Sequence, residues 1–228
     1  MDEVPRRLLV FDVEGTLFET NVTLPGVSLT STIWQALAAA LGSSAVEAEV
    51  ESHRRWERGE YASYLDWMKA TIEIHQQHGL TRGLFDDIIG SATYTQGVDE
   101  VMGTLDRSVY EPVLISGGFR DLAVRAQRDF AIYHSFAACD YLFDEDGMLA
   151  GYNLLPCDFA GKIRFIHLML AEYRLPKDAW LFVGDGANDA AIAEEAPFAV
   201  GYRPHPALAE VVDRSIVEFT TLLEVLED

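Results

Sequence analysis

Apolar positions along the chain fall into two patterns. Leu8-Leu9-Val10-Phe11, Pro112-Val113-Leu114-Ile115, Trp180-Leu181-Phe182-Val183 and Phe198-Ala199-Val200-Gly201 are short, nearly unbroken apolar runs. Such runs fit strands buried on both faces, as in a parallel sheet. Between them the apolar residues recur at helical spacing. This predicts helices over 97–106, 119–130, 159–173, 187–196, 206–212 and 219–226, with an edge strand at Ser215-Ile216-Val217. In the 159–173 helix the inner stripe reads Ile163, Ile166, His167, Leu170 and Tyr173. Asp144-Glu145-Asp146-Gly147 is a turn signal between two β-prone runs and predicts a hairpin within 140–155. Strands spaced by helices imply an α/β fold with a doubly wound parallel sheet.

The stretch between the first strand and residue 94 breaks this alternation. Leu17 to Gly26 reads as a connector, with Asn21 and Pro25-Gly26. Helical periodicity then starts after Thr30 or Ser31, either of which can cap, and passes through Ile33, Trp34, Leu37 and Leu41 to Gly42. Ser43-Ser44 can cap a second helix, Tyr61 to His75 mark a third, and Leu84 to Ile89 a fourth. The predicted organisation is a core domain of 1–19 and 94–228, with a small all-helical cap of 20–93 inserted after the first strand. Trp34, Trp56 and Trp67 belong to this insert, where tryptophans of a small bundle are core more often than pocket.

Composition narrows the partners. The 228 residues carry 17 basic and 37 acidic side chains, a formal charge of −20, which argues against nucleic acid or an anionic membrane. An acidic shell also repels anionic substrates, so a phosphate site would need its own local positive charge, which Mg2+ would supply. Lysine occurs only at positions 69, 162 and 177, so a lysine within a motif stands out. The two cysteines, Cys139 and Cys157, form no CxxC pair, which points to a reducing compartment. No apolar run approaches a membrane span, and the start Met1–Arg7 lacks the apolar core of a signal peptide. The expectation is a soluble, cytoplasmic protein.

Chemistry gathers where the apolar runs end. The first run breaks into Asp12-Val13-Glu14-Gly15-Thr16, the second into Ser116-Gly117-Gly118, the third into Gly184-Asp185-Gly186-Ala187-Asn188-Asp189. Any one of these is, alone, an ordinary strand-to-loop turn. Parallel strands bring their carboxyl ends to one edge, where open α/β sheets bind ligands, so the three converge. Lys162 precedes the third run and can reach that edge from the start of its helix.

These four motifs, in this order, resemble the haloacid dehalogenase superfamily and, within it, the phosphoserine phosphatase-like branch. The resemblance covers about 5–18 and 94–220 and implies a Rossmann-like core. It implies a Mg2+-dependent hydrolase of phosphoric monoesters, acting on a small phosphorylated metabolite. Asp12 would be the nucleophile and form an aspartyl-phosphate. Glu14 would be the acid and base, Ser116 and the Gly117 amide would hold the phosphoryl oxygens, and Lys162 would neutralise them. Asp12, Asp185 and the Glu14 carbonyl would bind Mg2+, with Asn188 and Asp189 in support. Glutamate at position 14 departs from the usual aspartate. The branch also reads its substrate with an acid and an arginine of the cap. The residues nearest those places here are Glu19 and Lys69, and lysine lacks the bidentate grip of arginine, so phosphoserine itself is expected to be a poor substrate. Two other readings stay open: a phosphotransferase that passes the phosphoryl group to an alcohol, and a catalytically silent binding or regulatory protein.

Overall fold

The computed structural model describes residues 7–19 and 32–227. The N-terminal segment before Arg7, the connector residues Asn21 and Pro25-Gly26, and the candidate caps Thr30 and Ser31 lie outside the described residues. In chain order the elements are β1 (Arg7–Phe11), α1 (Ile33–Leu41), α2 (Ser43–Glu57), α3 (Tyr64–Gln77), α4 (Arg82–Ser91) and α5 (Val98–Thr104). There follow β2 (Tyr110–Phe119), α6 (Arg120–Phe130), β3 (His134–Phe143), β4 (Leu149–Leu154), α7 (Gly161–Glu172) and β5 (Trp180–Gly184). A 3-10 turn, Ala187–Asp189, leads into α8 (Ala190–Glu195), and β6 (Ala199–Tyr202), α9 (Pro206–Ala209), β7 (Arg214–Ile216) and α10 (Thr221–Glu227) close the chain. It divides into two compact units. The first runs to Glu19 and takes in Tyr94–Ala137 and everything from Cys157 onward; the second holds the helical stretch up to Thr93 together with Ala138–Pro156.

In the first unit β1 lies centrally, paired parallel with β2 on one side and β5 on the other. The parallel ladder continues from β5 to β6 and β7. Leu8, Leu9, Val10 and Phe11 are fully buried, as an unbroken apolar run predicts for a strand covered on both faces. β2 runs on through Ser116, Gly117 and Gly118 instead of ending at Ile115. Glycine is a poor strand former, which is why the motif reads as a strand end; here the glycines lie within the strand, and neighbouring side chains occupy the space a Cβ would take. The buried face of α7 is Lys162, Ile163, Ile166, Met169 and Leu170. His167 is exposed, so the predicted stripe is corrected: the helix turns Lys162 inward and leaves the imidazole in water.

The second unit is helical apart from the end of β3 and β4, which form the predicted antiparallel hairpin around Asp144–Gly147. Thr32 caps α1, its Oγ1 accepting from the Gln35 N–H at 3.1 Å. Gly42, at φ 112°, ends α1 and starts α2, so Ser43 and Ser44 lie inside the first turn of α2 and do not cap it. The hairpin joins the helices through backbone: Arg82 N–H donates to the Gly147 carbonyl at 2.8 Å, and Leu149 N–H to that of Leu80 at 3.0 Å. Trp34 stacks on His75, whose Nδ1 lies 2.7 Å from the Tyr141 hydroxyl. Trp56 and Trp67 stack on each other at 4.8 Å. No helix among the described residues is long and apolar enough to cross a membrane.

Candidate active site

The site belongs wholly to the first unit and is built at the carboxyl end of β1. The ladder to β5 continues one residue past the strand, with the Asp12 N–H donating to the Val183 carbonyl at 2.9 Å. Beyond it the backbone folds into a tight turn. The Val13 carbonyl accepts from Leu17 and Phe18, and the Gly15 N–H donates to the Phe18 carbonyl. Gly15 sits at φ 94°, and a Cβ there would enter the Asp185 carboxylate, so conformation and space both demand glycine. The turn delivers the Thr16 hydroxyl to Asp185 Oδ1 at 2.8 Å.

Lys162 is the centre of the charge arrangement. It is fully buried, with Nζ 2.5 Å from Asp12 Oδ1 and 2.7 Å from Asp189 Oδ1, and 3.9 Å from Asp158 Oδ1. Burial alone would lower its pKa; Asp12, Asp189 and Asp158 outweigh that and raise it, so the ammonium stays charged. The other oxygen of Asp189 accepts from the Asp185 and Gly186 N–H groups at 3.2 and 3.0 Å. Asp189 therefore ties the lysine to the turn after β5. Ser116 is buried, and its Oγ accepts from the Gly118 N–H at 3.0 Å. A Cβ on Gly118 would lie 3.0 Å from Glu14 Oε2 and 3.4 Å from Ser116 Oγ, which places the Glu14 carboxylate beside the serine.

One ammonium faces four carboxylates here: Asp12, Asp158, Asp185 and Asp189. Burial pushes Asp12 well up, helped by Asp189 and Asp185 against the pull of Lys162. Burial likewise raises Asp185 to about 7, with Asp189 adding to the shift and Thr16 opposing it. Oxygens of Asp12, Asp185 and Asp189 lie within 4.8 Å of one another, a group that could hold a metal ion. The donor set suits a hard divalent cation such as Mg2+, which takes oxygen ligands and would offset the burial and the mutual repulsion that raise both carboxyls. Both oxygens of Asp189 already serve Lys162 and backbone amides, which leaves Asp12 and Asp185 as the pair to meet the cation.

The structure thus brings Asp12, Glu14, Ser116, Gly117, Lys162, Asp185, Asn188 and Asp189 to one strand edge. The two residues expected to read the substrate lie differently. Glu19 is half-buried on the segment leaving the β1 turn. Lys69 lies on α3 in the second unit, half-exposed, with Nζ 3.6 Å from Asp66 in an i,i+3 pair. Sequence reasoning missed Thr16 and Asp158. The signal for Asp158 was an acid one helical turn before a motif lysine, a spacing at which side chains meet.

An aspartate and a lysine are thus paired at the end of a central parallel strand, beside a cluster of acidic oxygens. The family model for haloacid dehalogenase-like hydrolases matches residues 7–197, and the chain belongs to that family, in its phosphoserine phosphatase-like branch. It is 30% identical over 213 residues to phosphoserine phosphatase SerB2 of Mycobacterium tuberculosis, covering 92% of this chain but 47% of that protein. It is 25% identical to phosphoserine phosphatase of Idiomarina loihiensis, over 96% of this chain and 91% of the relative. The chain therefore spans about half the length of the mycobacterial relative and nearly all of the other. Among solved structures, a phospho-aspartyl intermediate analogue of phosphoserine phosphatase shares the fold with a TM-score of 0.76 at 18% identity, covering 98% of both chains.

Proposed function

We propose that the chain is a Mg2+-dependent phosphatase that hydrolyses a small phosphorylated metabolite through Asp12. The observation that carries this reading is the buried Asp12–Lys162 pair at the edge where Ser116 and Glu14 converge. A carboxylate attacks a phosphate dianion only where the negative charge is offset. Lys162 offers one positive charge, and bound Mg2+ would supply the rest by polarising the phosphoryl oxygens.

Asp12 attacks phosphorus, the bond to the leaving oxygen breaks, and protonated Glu14 gives that oxygen its proton. The Glu14 carboxylate then takes a proton from water, which attacks phosphorus and releases phosphate and Asp12. Ser116 and the Gly117 amide orient the phosphoryl group. Names of the relatives support phosphoserine as the comparator substrate, while the half-exposed, Asp66-paired Lys69 supports a preference for a substrate without the full amino-acid headgroup. We assign the helical unit to substrate selection.

The test is a panel of phosphomonoesters with Mg2+, read as released phosphate. Wild type should turn over at least one of them, EDTA should remove that activity, and Asp12→Asn, nearly isosteric, should lower it by about 10³-fold or more. Full activity in EDTA, or in Asp12→Asn, would overturn the reading.

A further inference from the structure

Gly117 takes no positive φ, so its conformation does not demand glycine. Space does: a Cβ on Gly117 would run into the Asp158 carboxylate. Asp158 stands just before α7, its side chain 10% exposed. Its Oδ1 accepts from the Asn188 side-chain amide at 2.8 Å and from the Phe159 N–H at 2.9 Å. Lys162 Nζ is 3.9 Å from the same oxygen.

The backbone around it is equally committed. Phe159 adopts φ 48°, a left-handed conformation that a bulky residue holds only when its surroundings enforce it. The N–H of this residue is the one bonded to Asp158. The Asp158 carbonyl then accepts from Gly161, and that of Phe159 from Lys162, which launches the helix. Cys157 touches the same strand end, where backbone hydrogen bonding from Ser116 acts on its thiol. One carboxylate thus meets the phosphate-holding strand end at Gly117, the lysine helix at Lys162 and the acidic turn at Asn188.

We propose that Asp158 is a positioning residue that sets Gly117, Lys162 and Asn188 in register with one another. This deepens the phosphatase reading and rests on it. Asp158 touches neither the attacking nor the leaving oxygen in that reading. Its work is done through the three groups it contacts, and the absence of a side chain at position 117 is the other half of the device.

The experiment is a double-mutant cycle on the full chain with Asp158→Ala, Gly117→Ala and the pair. It is read as kcat/KM on the best substrate of the panel, Kd for inorganic phosphate with Mg2+, and Tm. Asp158→Ala should lower kcat/KM about 10²-fold, the scale of a displacement near 1 Å in the site. Asp158→Asn, which keeps the shape and the acceptor oxygen, should retain activity within about 10-fold, a rescue that loss of stability alone does not predict. Gly117→Ala should cost about 10²-fold beside Asp158 but less than about 3-fold in the Asp158→Ala background, because the clashing group is gone. If the two losses multiply, or if Asp158→Ala matches wild type, the proposal is overturned. Asp158→Ser completes the same cycle if the alanine variant lacks a cooperative transition. A wild type that hydrolyses no phosphomonoester overturns the phosphatase reading, and the cycle read on phosphate Kd still decides whether Asp158 sets Gly117.

Discussion

Lys162 and Lys69 are the same residue type placed in two regions, and they behave as different chemical groups. Lys162 is sealed in the first unit between Asp12 and Asp189. Lys69 lies on a helix of the second unit, 51% exposed, 3.6 Å from an Asp66 that is itself 44% exposed. In water such a pair gains little, because solvent screens it and two long side chains lose freedom to hold it. Out of water the same charges cannot be left unpaired, so Lys162 is bound to its carboxylates and they to it. The second unit has several more surface pairs of the Lys69 kind, Arg82–Asp86 and Arg54–Glu51 among them. What separates the regions is the dielectric around their charges, and that decides which charges do chemistry.

The largest loss of stability should come from breaking the buried centre. Lys162→Met keeps the unbranched stem, one atom shorter, and removes the charge, leaving Asp12 and Asp189 buried together without their cation. About 3–5 kcal/mol of stability should be lost, by denaturant titration without metal. Phosphatase kcat/KM should fall by about 10²–10³-fold in addition. If stability is unchanged, the contrast with Lys69 loses its physical basis.

Glu14→Gln should lower the rate by about 10²–10⁴-fold, the worth of a positioned acid and base. The loss should shrink on p-nitrophenyl phosphate, whose leaving group needs little protonation. Equal losses on good and poor leaving groups would confine Glu14 to positioning.

Among the buried titratable groups of the second unit, His75 sharpens the comparison from the other side. Burial lowers His75 to about 4, with His78 adding to the shift, so the imidazole is kept neutral beside Trp34 and Tyr141. An unfolded histidine titrates near its ordinary 6.5. Between those values the unfolded chain binds the extra proton, so stability rises with pH and is lost as pH falls from about 6.5 toward 4. The full loss is about 3 kcal/mol for the shift from 6.5 to about 4. His75→Gln should flatten that acid limb in a Tm-versus-pH series, and an unchanged limb would assign it to carboxylates instead.

Smallest of all should be Lys69→Ala, at less than about 0.5 kcal/mol of stability. With it, kcat/KM for phosphoserine should lie below that for phosphorylated alcohols lacking the amino-acid headgroup, and should move by less than about twofold. Phosphoserine as best substrate, damaged specifically by Lys69→Ala, would make Lys69 a recognition residue after all.

Local patterns carried much of this architecture. Unbroken apolar runs fit strands covered on both faces, and Leu8–Phe11 is fully buried between β2 and β5. Because parallel strands share a carboxyl edge, Asp12, Ser116 and Asp185 had to meet once their runs were read as strands. Sequence could not place what depends on one side chain filling another's space. His167 followed the helical period yet lies in water, because the rotation of α7 is set by the burial of Lys162. Gly117 read as a strand end, yet it is an extended residue whose missing Cβ makes room for Asp158. Asp158 itself looked like one more acid among 37. Hydrophobic period is a local property of the chain, whereas the partner of a buried charge is settled only when distant segments close around it and exclude water.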